Sequence, residues 1–332
     1  MSGKAITTVV IPFFQRTQGL LTASVQSVLS QSGAHDVRVV VADDESPISA
    51  QDELPEEVKR DKRVIIIRQP NAGPGAARNT ALNHAPTDTT YVALLDSDDV
   101  WHDGFLSAAI PILESGYDLF FADSRRYSQQ ESRFTWDADP ALNLDGRAHK
   151  PIAGSDLAFE FEGNLFDFIL IRSNILSPSS MIYRRAINPD LRFSTSLFNG
   201  QDRLFKLHLA KNVRKAAFTT NILCQEGEGI NIFDSASWGT IKSISLISSY
   251  IEMSKTILAE VPMTPSQQRF VKSRVTASRQ EFTASVLHLL RTGKSLPFDV
   301  IRKTFTNDPK CLAMFPKTIA KILFSRVFSR AY

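Results

Sequence analysis

Three carboxylates stand within four residues at Asp96, Asp98 and Asp99, directly after the apolar run Tyr91–Leu95. At that spacing they repel one another and destabilise the chain unless something offsets their charge. A hard divalent cation does so, because Mg2+ and Mn2+ prefer oxygen ligands and commonly bridge a carboxylate to substrate phosphates. An exposed acidic turn or a helix cap is the plainer alternative; the strand-like run directly before the cluster favours the cation. A second acidic pair, Asp43-Asp44, closes the β-branched run Val37–Ala42. Open α/β sheets bind ligands beyond the carboxyl ends of their strands, and both acidic groups sit at such ends. The segment Asn71–Asn79 (NAGPGAARN) lies between them. Its glycines allow close backbone approach, a helix start favours an anion, and Arg78, one turn in, reaches a phosphate or a ring. The segment matches neither the dinucleotide fingerprint nor the P-loop. Pro12-Phe13-Phe14-Gln15-Arg16 after the first run has no glycine triplet, which argues against a Rossmann dehydrogenase.

Alternating elements are needed to hold these groups. Ile6–Ile11, Val37–Ala42, Arg63–Ile67, Tyr91–Leu95 and Asp118–Ala122 read as strands. They are continuously apolar, as strands covered on both faces are. Thr17 is placed to cap a helix through Leu21, Val25, Val28 and Leu29, and Pro74 to open another. Strands alternating with helices predict a largely parallel sheet with crossovers. Residues 124–155 are polar and read as an excursion. Ser180–Tyr183 reads as a strand and Asp202–Lys211 as a short helix. Helices are expected over roughly 236–260, 265–292 and 315–330.

The 332 residues hold 38 Lys+Arg, 35 Asp+Glu and 43% apolar residues. That is enough apolar material for a real core and excludes a disordered tail protein. Two cysteines, Cys224 and Cys311, exclude a disulfide scaffold and a zinc site. No run approaches a membrane span and no signal peptide is evident, so a cytoplasmic protein in a reducing compartment is expected. Charge is divided unevenly. Residues 1–150 carry 14 basic and 21 acidic groups, whereas residues 151–332 carry 24 and 14. A basic tail suits an anionic lipid, a phosphorylated substrate or plain solvation. The cations show no aromatic-interleaved motif, which argues against nucleic acid.

IPFFQR, VVVADDES, NAGPGAARN and LLDSDD, in that order and spacing, resemble an inverting family 2 glycosyltransferase over about residues 5–125. A further likeness, carried by Gln225–Ile232 (QEGEGINI), is to the bacterial exopolysaccharide, succinoglycan-type enzymes. The resemblance implies an α/β chain of the GT-A nucleotide-diphospho-sugar transferase fold: a mostly parallel central sheet flanked by helices, with a helical C-terminal extension. It implies a catalytic domain over 1–233, with a nucleotide-sugar half (1–123) and an acceptor half (124–233), and a helical region over 234–332. It also implies a nucleotide-sugar donor, Mg2+ or Mn2+, and a single displacement at the anomeric carbon.

Carried over residue by residue, Asp44 matches the acid that bonds the base, with Asp43 beside it. Pro12 and Phe14 match the nucleoside wall, and Arg78 a basic position near the donor. Asp96 and Asp98 match the DxD pair, with Asp98 or Asp99 on metal and diphosphate. Glu45 stands where glycine is frequent, a departure that bears on turn geometry. Downstream, Phe198–Lys206 (FNGQDRLFK) fits the acidic helix start that carries the general base, here Asp202. Gln201 replaces a common Glu, so one charge near the base is missing. A helix cap is the plainer role for Asp202. The QxxRW signature of processive synthases is absent, which implies one sugar per encounter.

Gln225–Ile232 (QEGEGINI) resembles the GxGxN loop of the exopolysaccharide enzymes, so Gly227 and Gly229 are donor-site candidates; an ordinary glycine turn is the equal alternative. Trp136 and Trp238 are candidates for stacking on sugar or for burial, and His208 is expected to be a packing or surface residue. Residues 316–330 (PKTIAKILFSRVFSR) read as a basic amphipathic helix that either lies on the inner face of the cytoplasmic membrane or packs on the core. The expected partners are a UDP-sugar, glucose being the first sugar to test, and a growing lipid-linked oligosaccharide. The long C-terminal helices offer a surface for homodimer pairing. A sugar-1-phosphate nucleotidyltransferase and a non-catalytic partner subunit of the same fold are the rival functions. The first wants a glycine-rich basic loop after the first strand, which is missing. Intact Asp96, Asp98 and Asp202 argue against the second.

Overall fold

The computed structural model describes residues 5–33, 36–155, 157–227, 229 and 237–320. Its strands in chain order are β1 (Ile6–Phe13), β2 (Asp36–Asp43), β3 (Val64–Arg68), β4 (Thr89–Leu94), β5 (Val100–Trp101), β6 (Leu119–Arg126), β7 (Lys150–Pro151), β8 (Ala158–Glu160), β9 (Met181–Arg184) and β10 (Ala216–Glu226). The helices are α1 (Leu20–Leu29), α2 (Ala50–Glu53), α3 (Glu56–Lys59), α4 (Pro74–Asn83), α5 (Phe105–Glu114), α6 (Leu165–Arg172), α7 (Gln201–Ala210), α8 (Ile241–Glu260), α9 (Pro265–Arg291), α10 (Phe298–Asn307) and α11 (Lys310–Ala313).

One sheet runs β3-β2-β1-β4-β9-β6-β10-β8-β7, with β5 paired to β10. The β3-β2-β1-β4 half is parallel throughout. Val9 lies opposite Val39, and Ile11 opposite Val41. All four are fully buried against α1 residues such as Leu21 and Val25, which is why these strands carry no polar alternation. The other half is mixed. β9 runs antiparallel between β4 and β6, while β10 is parallel to β6 and antiparallel to β8.

Two local expectations are corrected. The first helix opens at Leu20, capped by Gly19 in the left-handed region (φ 91°) without a side-chain bond, rather than by Thr17. The helix expected from about 236 starts at Ile241, with Thr240 as its cap. α4 opens at Pro74 as expected, after Gly73.

The chain divides into two compact units, Met1–Ser196 with Gln201–Ile230, and Leu197–Gly200 with Asn231–Tyr332. The first holds the sheet. In the second, Ile244, Ile247 and Ile251 of α8 meet Phe282, Val286 and Leu289 of α9. A Thr264/Gln267 capping box starts α9, and Arg279 grips buried Asp308 through two bonds of 2.8 and 3.0 Å. No helix among the described residues is long and apolar enough to cross a membrane. Residues 321–330 of the expected terminal helix lie outside the described residues.

Candidate active site

The carboxyl ends of β1, β2 and β4 converge. β1 and β2 remain paired beyond their last residues through Asp44 N–H donating to Phe13 O, at 2.9 Å. Pro12, opposite Ala42, and Phe14 are half-buried beside this seam. Asp43 is fully committed locally: its two oxygens accept from Ser46 N at 2.8 Å and Ala50 N at 2.9 Å. Asp44 reaches the other way. It accepts from Ala72 N (2.9 Å), Gly73 N (2.8 Å) and Gln69 Nε2 (2.7 Å), and so anchors the segment that leads into α4. Between Asp44 and this segment, Glu45 has φ 57°, the positive value that glycine adopts without cost.

Close backbone approach is visible at Gly75, where a Cβ would stand 2.5 Å from Ser194 O. One turn on, Arg78 donates to Asp96 at 2.5 Å and lies over the Phe193 ring, 5.2 Å from its centre. Arg78 is 5% exposed, yet its Nε and Nη1 have no partner, and the same holds for Gln201 Oε1. Buried polar groups without partners are uncommon and mark places where a ligand atom fits.

Asp96, Asp98 and Asp99 form a turn after β4, closed by Asp99 N–H on Asp96 O at 3.0 Å. Ser24 Oγ donates to Asp99 O, and Ser179 Oγ accepts from Asp96 N. The end of β10 covers this turn. Gly227 N–H donates to Asp99 Oδ1 and Gly229 N–H to Asp98 Oδ2, each at 2.9 Å. Neither glycine has room for a side chain, because a Cβ on either would run into Asp98. Burial, then the Asp96 charge, push Asp98 up to about 6. Burial and the charges of Asp98, Asp96 and Glu226 push Asp99 well above the usual carboxylate range.

Among the described residues no three ligating side chains form a closed metal cage. The donors instead suit a cation held by one or two carboxylates and completed by substrate phosphates. A cation there would relieve the repulsion that raises Asp98 and Asp99, so the residues present fit Mg2+ or Mn2+.

Asp202 lies in the first turn of α7 rather than at its cap. Burial raises its pKa, but the Lys206 and Arg78 charges outweigh this and leave it below the ordinary value. Thus Arg78 is bonded to Asp96 and lies within electrostatic reach of Asp202.

Residues 8–191 match the family model of glycosyl transferase family 2. The chain belongs to that family. It is 28% identical over 308 residues, 92% of its length, to the succinoglycan biosynthesis protein ExoW of Rhizobium meliloti, 95% of which is covered. Among solved structures, a mannosyltransferase from Pyrobaculum calidifontis with GDP-Man and Mn2+ shares the fold at TM-score 0.55 and 16% identity, covering 98% of this chain and 88% of that one. S. aureus TarS 1-349 with UDP-GlcNAc shares it at TM-score 0.53 and 16% identity, covering 86% of this chain and 73% of that one. The expected GT-A fold is the one present.

In this family 2 transferase the motif residues from β1, β2, α4 and β4 meet at one end of the sheet. Gly227 and Gly229 join them from the segment after β10, and Asp202 from α7. Residues 228 and 230–232 of the loop lie outside the described residues. Trp136 packs under the Arg133 guanidinium, 4.3 Å from it, and Trp238, 56% exposed, lies against His288 in the helical unit. His208 is half-buried in the last turn of α7.

Three groups escaped sequence reading. Ser179, fully buried, ties Asp96 to Trp101, whose indole N–H donates to Ser179 O at 2.7 Å. Arg133 clamps Glu226 through both carboxylate oxygens, with Ser124 Oγ as a third donor. Lys206 lies beneath Asp202. Only Lys206 had a signal, its spacing of four from Asp202 on one helix face.

Proposed function

We propose that this family 2 glycosyltransferase moves a hexose from a UDP-sugar to a hydroxyl of a growing, lipid-linked oligosaccharide in exopolysaccharide biosynthesis, with inversion. UDP-glucose is the first donor to test. Nearly end-to-end similarity to a succinoglycan biosynthesis protein supports the exopolysaccharide setting. The observation that carries the chemistry is Arg78, paired with Asp96 and electrostatically coupled to Asp202, with two buried nitrogens awaiting acceptors.

In this reading Pro12 and Phe14 flank the nucleoside. Asp44, which spreads three intrachain bonds over four acceptor sites, offers the last to the base; Asp43 holds the turn. Arg78 Nε and Nη1 donate to donor oxygens. Gly227 and Gly229 keep the β10 end close against Asp98. Asp98, or Asp99, together with Asp96 would hold Mg2+ or Mn2+, which offsets the charge developing on the departing diphosphate. Asp202 takes the proton from the acceptor hydroxyl as it attacks the anomeric carbon from the face opposite the leaving group. Domains over 1–233 and 234–332, homodimer pairing, and contact of residues 316–330 with the inner face of the cytoplasmic membrane complete the proposal. A lipid-linked acceptor gives that contact its purpose.

Calorimetric titration with a panel of nucleotide-sugars, with and without Mn2+, tests the donor site. Metal-dependent binding of one UDP-sugar, lost in Asp98→Ala, is the expected result. No binding of any nucleotide-sugar to the folded protein sinks the reading.

A further inference from the structure

Lysine is almost never fully buried unless its charge is partnered. Lys206 has a side chain only 3% exposed, in the middle of α7. Its ammonium has three donors, and three oxygens face it. It donates to Ser173 O at 3.0 Å and Leu176 O at 2.7 Å, and stands 3.2 Å from Asp202 Oδ2. The two carbonyls belong to the turn after α6, the helix packed against α7. The ammonium is therefore fixed by backbone from below and meets a carboxylate, 32% exposed, above.

A role in tying α7 to the 173–176 turn needs no charge. The two carbonyls need a donor, which a neutral amide supplies as well as an ammonium does. The opposite charge that the ammonium meets is the Asp202 carboxylate, at 3.2 Å. We propose that Lys206 is the positioning residue of this site, holding the Asp202 carboxylate ionised and in one orientation toward the acceptor; this rests on the reading of Asp202 as the general base.

The surroundings leave Lys206 as the near partner. Arg78 of α4 acts on Asp202 from the donor side and is already paired with Asp96. Arg203 on the same helix donates to Leu170 O. Burial pushes Lys206 below the usual lysine range and the Asp202 charge opposes this; Arg203, then Arg133, add weaker repulsion, and α6 carries Asp167 and Arg172. With Lys206 gone, burial is the largest influence left on Asp202, and it favours the protonated carboxyl. A protonated Asp202 accepts no proton, so the acid limb of activity moves to higher pH.

The test is a 13C carboxyl NMR titration of aspartate-labelled full-length protein, with Asp202→Asn to assign the resonance. Lys206→Met removes the charge. Lys206→Gln also removes it but keeps a donor for the carbonyls, which guards against misfolding. The Asp202 midpoint is expected to rise in both, and the acid limb of UDP release from UDP-glucose with Mn2+ to rise with it. An unchanged midpoint in either folded variant overturns the proposal whatever the activity. Full turnover by Asp202→Asn overturns the reading of Asp202 as base, and this proposal with it.

Discussion

Gly229 donates its backbone N–H to Asp98 Oδ2 at 2.9 Å, across 131 positions of sequence. A main-chain group from the end of β10 thereby fixes one oxygen of the acidic turn after β4. The contact is possible only without a Cβ, which would collide with that same carboxylate. Gly229→Ala should therefore displace either the loop or Asp98. Metal-dependent nucleotide-sugar binding is expected to weaken at least about tenfold, read by calorimetry, while the melting temperature changes little. Unaltered affinity would separate this loop from the donor site.

Asp202→Asn keeps the shape of the side chain and removes its capacity to take a proton. Turnover with a competent donor and acceptor should fall by about 10²–10⁴-fold, the usual worth of a general base. Donor affinity should hold, because the role proposed for Asp202 is toward the acceptor. Comparing kcat with donor binding checks both halves.

Asp123 is buried on β6 and accepts from Ser124 N at 2.8 Å and Phe134 N at 3.1 Å. Burial pushes its pKa from 3.8 up to about 6. A carboxyl raised on folding holds its proton more tightly in the native state. Stability is thus greatest below the unfolded value and declines as pH rises to about 6, by at most about 3 kcal/mol. Asp123→Asn keeps the acceptor and loses the charge. It should match or exceed the wild type in urea melts above pH 6 and lose its advantage near pH 4.

Arg133 and Glu226 are both nearly buried, with side chains 10% exposed. Burial raises Glu226, but Arg133 outweighs it and holds the carboxylate ionised. Arg133→Met leaves that charge with Arg126, 3.5 Å away, as its ion partner among the described residues. A loss of about 3 kcal/mol is expected in denaturant unfolding. Because Glu226 immediately precedes Gly227, donor binding should weaken as well.

Glu45 occupies a left-handed conformation at φ 57°. Glutamate there costs about 1–2 kcal/mol, partly regained by glycine's greater freedom when unfolded. Glu45→Gly should be neutral or stabilising by up to about 1 kcal/mol, even though Asn71 N loses its Glu45 Oε2 acceptor. Thermal melts decide it.

The parts of the fold and site legible in sequence are those written contiguously. β1, β2 and β4 carry the apolar runs Val9–Ile11, Val39–Ala42 and Tyr91–Leu95, and acidic groups follow directly after the last two. Pro74 marks its helix because proline suits the first turn. The Glu45 departure pointed to backbone geometry, and the strained φ lies there. What stayed hidden depends on pairing at a distance. Ser180–Tyr183 reads as a strand, but four residues do not encode its antiparallel seat between β4 and β6. α5 went unread around Pro111, which ordinarily interrupts a helix. Gly19 displaced Thr17 at a helix start because its N–H meets Glu53, 34 positions on. Arg133 and Glu226 are 93 positions apart, and neither has a local reason to be buried.

The two backbone bonds that close over Asp98 and Asp99 span 131 and 128 positions. During synthesis the acidic turn emerges long before its cover, and β9, the neighbour of β4, arrives between them. Non-local contacts of this kind form slowly, since loop closure must precede them. For the interval in which β10 is still being made, three crowded carboxylates lie open on a half-built sheet. The acidic turn thus precedes its cover in synthesis, and a chain ending before Gly227 lacks the two backbone donors that close over Asp98 and Asp99.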